Sequence, residues 1–410
     1  MKFLHPWFQK LEKFLATDLR YLLKGGFFLS FSRVFSSLTS LASSIAFANL
    51  VSPAVYGFFR YILTLSGVFS IATLKGVDTS LTRSIAQGKE GGVFPTLKVK
   101  IRYGIFGTLS ALAGSIYYYL QGDHQLSFLL LILAPFVIIL DPLYIFTAIL
   151  NGKKLFALSV KYNSLDRIIA TALIVGTLFL TDNIFVIVGV YFLANSIAYL
   201  ICFLLTLRQV NYQTGEPDPE SLTYGKHLSF MNALGQLSTY LDKLLIFTFV
   251  GSAPLALYYL SLSIFKNIQN ILGSLNVLAL PKFSNAQKED IQKSLPKKVL
   301  KMYLAIIPII TVYFFAAPTI FRLVFPQYSP HLSQIMVLLL LTTPITLFST
   351  ALTAQREQKK LYQNSISYAV IRILALVILV PLFGVNGAVL AVFISNVSSA
   401  LTTMYLFYKK

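Results

Sequence analysis

Apolar residues dominate this chain in long blocks that short polar stretches separate. Twelve blocks have the length of a membrane span: 27–50, 56–77, 103–120, 126–150, 162–181, 184–207, 228–250, 255–280, 302–321, 334–354, 362–382 and 386–408. A helix needs roughly 17 to 25 apolar residues to cross a bilayer. Lipid has no hydrogen-bond partners for backbone groups, so a spanning segment must pair them within itself. The pattern therefore predicts an all-α integral membrane fold with twelve transmembrane helices.

The first 24 residues have a different pattern. Apolar side chains recur there at helical spacing and basic residues interrupt them, as at Leu4, Phe8, Lys10, Leu11 and Lys13. A helix of this kind lies in the membrane interface, with its bases near anionic lipid. Residues 1–24 are therefore predicted to form an amphipathic interfacial helix.

Two short motifs recur at an offset of about 200 residues. The segment Val51–Tyr56 returns as Gly251–Tyr258, and Lys153–Phe156 returns as Lys359–Tyr362. Parallel repeats of this kind are typical of transporters, although chance similarity between short motifs is the alternative. The repeat predicts two six-helix lobes, 25–207 and 228–410, joined by a cytoplasmic linker at 208–227.

Composition supports the membrane interpretation and charge gives an orientation. Hydrophobic residues make up 56% of the chain and charged residues 12%, with a formal net charge of +19. Outside the predicted helices, the bases fall on the amino-terminal side of the membrane, and the loops of the other side carry only Arg322. Because positive loops stay in the cytoplasm, both termini are predicted to be cytoplasmic, and nucleic acid is not expected as a partner.

No catalytic or cofactor signature is present. The single cysteine, Cys202, excludes a disulfide framework, and the four histidines are scattered without metal-ligand spacing. The sequence also lacks a Walker loop and a GxSxG motif. We therefore predict no metal, no cofactor and no enzymatic activity. A membrane glycan polymerase or ligase would be expected to carry a long outer loop with catalytic residues.

Several basic residues fall inside the predicted helices: Arg33, Arg60, Arg167, Lys243, Lys266 and Arg372. Each costs roughly 2.5 to 3.5 kcal/mol at a bilayer centre, which favours a watery cavity over a lipid-facing position. Two alternatives stay open. The bases nearest the segment ends, Arg33, Arg60 and Arg167, have stems long enough to reach the headgroups, and Asp141, Asp166 and Asp242 are available to neutralise some of the others.

Spacing groups these bases with neutral polar residues on single helix faces. The faces are Arg33, Ser37, Ser40 and Ser44 in the first segment; Asn232, Gln236, Thr239 and Lys243 in the seventh; and Ser263, Lys266, Asn270 and Gly273 in the eighth. Residues three and four apart share a face of a helix, so we expect a hydrated cleft between the lobes. The serines also suit close helix packing, which is a common use of small residues.

Three segments resemble the oligosaccharide flippases and polysaccharide exporters (Wzx-like) of the multidrug/oligosaccharidyl-lipid/polysaccharide exporter superfamily. They are Ala48–Gly57, Gly76–Arg83 and Val380–Val389. The resemblance implies a MATE-like architecture of two lobes and an alternating-access cavity for a polyprenyl-linked oligosaccharide. Lipid II flippases, which are related, carry cationic residues on helices one, two and eight, where Arg33, Arg60 and Lys266 lie. The chain departs from them in having twelve predicted spans and no acid in the first one, which disfavours a peptidoglycan precursor.

These observations predict a multi-pass, monomeric flippase of a bacterial or archaeal cytoplasmic membrane. Its partners would be a lipid-linked oligosaccharide, the membrane and a coupling cation, either proton or sodium. The candidate residues for binding the diphosphate and sugars are Arg33, Arg60, Lys243, Lys266, Arg372, Asn232, Gln236 and Asn270. The alternative is an ion-coupled multidrug exporter, which would need unpaired acids in its cavity. A structural scaffold would leave the intramembrane bases unexplained.

Overall fold

A computed structural model describes residues 19–210, 219–284, 287–355 and 357–409. It confirms an all-α fold, and these residues contain no strand. The helices are α1 Leu19–Leu50, α2 Pro53–Phe69, α3 Gly76–Ala86, α4 Val93–Leu120, α5 His124–Leu143, α6 Phe146–Gly152, α7 Phe156–Leu180, α8 Ile184–Gln209, α9 Pro219–Phe249, α10 Ser252–Ser284, α11 Lys288–Val324, α12 His331–Val337, α13 Thr346–Ala354 and α14 Gln358–Tyr408. Most of the predicted interfacial helix lies outside the described residues.

Burial along a single helix shows how these elements sit in lipid. In α7, Tyr162, Asp166, Ala170, Ile174 and Leu178 are buried at intervals of four residues. That spacing puts one stripe against the neighbouring helices. Large apolar side chains of this and other helices are exposed on the outer surface of the bundle; examples are Leu120, Leu180, Phe315 and Leu323. Such exposure would be costly in water and is expected in hydrocarbon.

Seven stretches of the described residues are long and apolar enough to cross a membrane: Pro53–Thr73, His124–Gly152, Phe156–Leu180, Ile184–Gln209, Glu289–Val324, His331–Ala354 and Gln358–Tyr408. The last of these is broken at Gly384, whose φ of 57° is not helical. Both predicted segments 362–382 and 386–408 fall within it. The chain is thus a multi-pass membrane protein, and the count of twelve spans stays a prediction.

The second predicted span ends in a short break. A 3-10 turn at Ser70–Thr73 follows α2, and Leu74 takes a left-handed conformation with φ 59°. The chain then starts again as α3, so the predicted span 56–77 is a transmembrane helix followed by a separate short one. A left-handed residue cannot continue a helix, so α3 starts as a separate helix, which packs against α9 and α6.

We call the helices before residues 211–218 the first half and those after them the second half. They touch at both ends of the bundle and also between the ends, where the Thr64 and Tyr259 hydroxyls lie 2.9 Å apart. At the end that carries α3 and the start of α9, called the linker end here, the Gly76 amide donates to Ser229 Oγ at 2.9 Å. At the opposite end, called the far end, α2 packs against the start of α10 at Gly57 and Ser252. The side-chain amide of Asn49 (Nδ2) also donates there to the Val324 carbonyl at 2.9 Å. The helix α9 begins at Pro219, within the predicted linker.

Candidate functional site

Arg60 lies on α2, close to the boundary between the two halves. Ser52 caps the helix by accepting from the Val55 amide, and Pro53 occupies the first turn, where no amide hydrogen is needed. Seven residues beyond Pro53, the half-buried Arg60 points between helices of both halves. Its guanidinium carbon lies 5.0 Å from the centre of the Tyr56 ring and 5.1 Å from that of Tyr259 on α10.

The guanidinium of Arg60 is held by neutral groups. Its Nε and Nη2 donate to the Tyr56 hydroxyl at 3.0 and 2.8 Å, and Nη2 also approaches Ser44 Oγ at 3.4 Å. No carboxylate of the described residues lies within ion-pair distance of it. Aromatic faces attract a cation only modestly, so Arg60 keeps an uncompensated positive charge that can receive an anion.

A cavity of about 290 Å³ opens beside this guanidinium. Its walls come from α1, α2, α7 and α8, and the lining includes Ser40, Arg60, Asn163, Asp166, Arg167 and Asn195. We call it the arginine cavity, after Arg60 and Arg167. Arg167 is exposed and makes no ion pair among the residues that the structure describes. Two guanidinium groups that line one cavity form a site suited to phosphate, which accepts charge-assisted hydrogen bonds from them.

Asp166 adds a negative group to the same cavity. Its side chain is only 4% exposed, and its Oδ1 has no hydrogen-bond partner among the described residues. A buried carboxylate oxygen without a partner is costly. It therefore marks a place where a proton or a water is expected to bind.

A smaller cavity of about 260 Å³ adjoins the arginine cavity and leads toward Asp141. Both cavities share Leu63, Tyr144, Tyr191, Asn195 and Tyr199 in their walls. The polar lining thus continues from Arg60 toward the linker end of the first half.

Asp141 belongs to an ion cluster at that end. The fully buried Lys100 lies 3.1 Å from Asp141 Oδ2 and 2.6 Å from Asp78 Oδ2, and the Thr73 hydroxyl donates to Asp141. Lys75 is 3.9 Å from Asp141 Oδ1. Lys100 precedes the predicted span 103–120, so its position predicts a loop base on the cytoplasmic side; in the structure it is buried between two carboxylates.

The charged groups of this cluster shift each other's pKa values. Burial raises the pKa of the Asp78 carboxyl to about 6, since desolvation outweighs the opposing attraction of Lys100, and the negative charge of Asp141 adds to the rise. Asp78 and Asp141 raise the pKa of Lys100 despite its burial. The cluster therefore keeps Lys100 charged and leaves Asp78 as its most easily protonated member.

A second ion cluster lies in the other half. Lys243 Nζ is 2.6 Å from Asp242 Oδ1, and Arg372 Nη2 is 3.2 Å from Asp242 Oδ2. The Tyr258 hydroxyl also donates to Asp242 Oδ2 at 2.7 Å. These three charged side chains are all buried. Lys243 and Arg372 thus join α9 to α14 through a shared carboxylate, which is the pairing that the sequence left open as an alternative to the cavity.

A larger cavity, of about 730 Å³, lies between α9 and α14. Its polar lining consists of Asn232, Gln236, Thr239, Tyr362, Asn364, Ser365, Tyr368, Asn396 and Ser399. Among the residues that the structure describes, no acidic or basic side chain lines it. We call it the amide cavity, after its carboxamides.

The structure places the remaining predicted residues in different surroundings. Asn232 and Gln236 line the amide cavity. Lys266 and Asn270 are exposed on α10 and line neither cavity. Arg33 is on α1, but its side chain lies outside the described residues. Among the described part of the chain, no group of three His, Cys, Asp or Glu side chains could hold a metal ion.

The sequence missed some partners of these residues. Tyr56 lies four positions before Arg60, a spacing that brings side chains together on a helix, so this contact was available from the sequence. Asn364 and Asn396 are remote from Asn232 along the chain, and no local pattern links them to it.

Comparison with known proteins agrees with this architecture. The sequence profile of a family described as polysaccharide biosynthesis protein matches residues 22–287. No curated protein matches the chain. The matched range runs from α1 through α10 and contains both Arg60 and the whole arginine cavity.

Several solved structures share the fold. Lipid II flippase MurJ in an inward closed conformation superposes with a TM-score of 0.71 at 15% identity, covering 92% of this chain and 86% of that one. An inward-facing multidrug resistance MATE family transporter gives 0.66 at 13% identity, covering 92% and 97%. A transporter of the same superfamily from Pyrococcus furiosus gives 0.62 at 14% identity, covering 94% of each chain.

These matches confirm the predicted fold class and the family resemblance. The neighbours are a flippase and transporters rather than enzymes, in agreement with the prediction of a non-enzymatic protein. At such low identity the likeness concerns the fold, and the residues that would bind a substrate are this chain's own.

Proposed function

Because the chain belongs to the polysaccharide biosynthesis protein family, we propose that it is a flippase for polyprenyl-diphosphate-linked oligosaccharide. It would carry the headgroup from the cytoplasmic to the outer leaflet by alternating access, acting as a monomer. The polyprenyl tail would stay in lipid while the headgroup passes between the two halves.

Arg60 is the observation that carries this proposal. It lines a cavity of the first half, beside Tyr259 of the second, and has no carboxylate partner among the described residues, so its charge is available to a diphosphate. Arg167 on the same cavity adds a second guanidinium. Hydrogen bonds between a guanidinium and phosphate are charge-assisted and stronger than neutral ones. We propose that Arg33 and Lys266 approach the diphosphate from α1 and α10 during transport.

The orientation follows from charge. The linker end carries Lys75, Arg83 and Lys98, whereas Arg322 lies near the far end, so we propose that the linker end and both termini face the cytoplasm. A bacterial or archaeal cytoplasmic membrane is the expected location. With the interior negative, moving a negative headgroup outward is favoured by roughly 2.3 kcal/mol per charge per 100 mV.

Substitution of Arg60 tests the proposal. Purified protein in proteoliposomes is given a fluorescent polyprenyl-diphosphate disaccharide, and its arrival in the other leaflet is followed by quenching. Removing one charge-assisted hydrogen bond costs roughly 1.5 to 3 kcal/mol, so Arg60→Ala should weaken lipid binding by about 10- to 150-fold and reduce flipping. Arg60→Lys should keep part of the activity because it retains the charge without the planar fork.

Arg322→Ala is the matched control. Arg322 is an exposed arginine at the end of α11, outside both cavities, so flipping should stay at the wild-type rate. Normal flipping by Arg60→Ala, with the protein folded in the membrane, would contradict the proposed role of the arginine cavity.

Asp166 favours one alternative function. An ion-coupled multidrug exporter for organic cations needs an unpaired acid in its cavity, and Asp166 has an oxygen without a partner there. Saturable binding of tetraphenylphosphonium that Asp166→Asn abolishes, together with no binding of the polyprenyl-diphosphate lipid, would support the exporter. In the flippase, we propose that Asp166 takes up the coupling cation, either proton or sodium.

A further inference from the structure

The amide cavity differs from the arginine cavity in its chemistry. The arginine cavity carries two bases and an acid. The polar lining of the amide cavity consists of carboxamides, hydroxyls and two tyrosines, with no charged side chain among the described residues. Its volume of about 730 Å³ falls within the range of roughly 300 to 1,000 Å³ that is usual for small-molecule sites.

Three carboxamides of this wall have unused hydrogen-bonding capacity. The side-chain amides of Asn232, Gln236 and Asn396 make no hydrogen bond with another described residue, whereas Asn364 and Ser399 bond to each other. Each free carboxamide offers two donors and an acceptor oxygen. Sugar hydroxyls both donate and accept, so they are well suited to satisfy such a wall.

Two residues of the cavity lining are held by the second ion cluster. Lys243 Nζ donates to the Thr239 carbonyl at 2.7 Å, and Arg372 Nη1 donates to the Tyr368 hydroxyl. Both charges are also bound to Asp242, so they hold the wall without lining it. The intramembrane bases on α9 and α14 therefore position this wall, and they leave its surface neutral.

We propose that the amide cavity is the glycan subsite and accepts uncharged sugars that carry hydroxyl and acetamido groups. This inference rests on the proposed flippase function and deepens it, since the diphosphate would bind at the arginine cavity in the other half. A hexuronic acid is disfavoured in the amide cavity, because burying a carboxylate without a paired charge is costly.

The test compares three lipids on the purified full-length protein in nanodiscs. They are polyprenyl diphosphate without sugar, the same lipid with a neutral N-acetylhexosamine disaccharide, and the same lipid with one sugar replaced by a hexuronic acid. Dissociation constants are measured for wild type, Asn232→Leu/Gln236→Leu and Arg60→Gln. Gln125→Leu, at an exposed position outside both cavities, is the matched control.

The neutral glycan lipid should bind wild type more tightly than the bare lipid and the hexuronate lipid. The double variant should weaken binding of the neutral glycan lipid on the order of tenfold, as expected for the loss of about two neutral hydrogen bonds, and leave the bare lipid unchanged. Arg60→Gln should weaken binding of all three lipids by a similar factor, and Gln125→Leu should leave binding of all three unchanged. Asn396→Leu provides a second variant if the double variant does not fold.

Two sets of results overturn the inference in distinguishable ways. If wild type binds no polyprenyl diphosphate, or if Arg60→Gln leaves binding unchanged, the proposed function fails and the glycan subsite with it. If Arg60→Gln weakens binding but the amide variants weaken binding of the bare and glycan lipids equally, or weaken binding of neither lipid, the flippase proposal stands and the glycan subsite is refuted. Equal affinity of wild type for the neutral and hexuronate lipids refutes the preference for uncharged sugars.

Discussion

Alanine at Gly57 and at Gly76 should bias the protein toward opposite conformations. A Cβ at Gly57 would lie 1.9 Å from the Ser252 carbonyl oxygen at the far end, and a Cβ at Gly76 would lie 2.5 Å from the Ser229 amide nitrogen at the linker end. Both obstacles are backbone atoms of the other half, so no rotation of a side chain relieves the overlap. Each alanine therefore opposes contact between the halves at one end only.

The size of the effect follows from the overlap. A carbon approaches an oxygen or nitrogen of the backbone to about 3.3 Å, so the halves must separate by about 1.4 Å at Gly57 and by about 0.8 Å at Gly76. Such overpacking typically costs about 1 to 3 kcal/mol, which changes a two-state ratio by about 5- to 150-fold. Alanine favours helix over glycine by about 1 kcal/mol, so the helices themselves are not weakened.

Spin-label distances measure the two ends separately. Labels at Ala54 and Arg322 report on the far end, and labels at Thr79 and Thr223 report on the linker end; all four positions are exposed. The native Cys202 is only 1% exposed and should not interfere. Gly57→Ala should lengthen the far-end distance alone, and Gly76→Ala the linker-end distance alone.

Gly176→Ala in α7 is the matched control, because a Cβ there meets nothing within 4 Å. It should leave both distance distributions as in wild type. If Gly57→Ala and Gly76→Ala also leave both distributions unchanged, the close contacts do not control the conformation of the protein, and our interpretation of the two ends is wrong.

Three further predictions follow. Asp242→Asn leaves two buried bases without their carboxylate and should destabilise the protein by about 3 to 5 kcal/mol, seen as a lower melting temperature that Lys243→Met partly restores. Because the pKa of Asp78 is raised to about 6, an infrared titration should show a carboxyl that gains its proton near that pH, and Asp78→Asn should lack it. Lys266 lines none of the three cavities but is proposed to approach the diphosphate during transport, so Lys266→Ala should abolish glycan export while the protein level is retained; export at the normal rate would exclude Lys266 from the mechanism.

The sequence alone determined the all-α membrane fold. In hydrocarbon every backbone group must be paired within the chain, so apolar blocks of about 20 residues, such as 162–181 and 184–207, leave little choice of structure. The block 184–207 matches α8 to within two residues, and the block 162–181 covers all of α7 except its first two turns. The break at Leu74 was not predicted, because the block 56–77 was interpreted as one helix, although Lys75 and Gly76 follow Leu74 directly.

The sequence also identified the bases that need an explanation, but it did not give their partners. Lys243 and Arg372 were grouped with Arg60 because all three fall inside predicted helices, although two of the three share the carboxylate of Asp242. Lys243 and Asp242 are adjacent in sequence, yet Arg372 is contributed by a helix from the end of the chain. Whether a buried base is neutralised depends on such distant contacts, which periodicity within one helix does not encode.

Tertiary packing also decided which polar residues share a cavity. The spacing of Asn232, Gln236 and Thr239 predicted one polar face of α9 correctly, since a helix fixes neighbours three and four residues apart. The opposite wall, with Asn364 and Asn396, comes from both parts of α14. Local sequence thus determined what each helix presents, and only the packing of helices distant in sequence decided that a neutral cavity lies in one half and an arginine-lined cavity in the other.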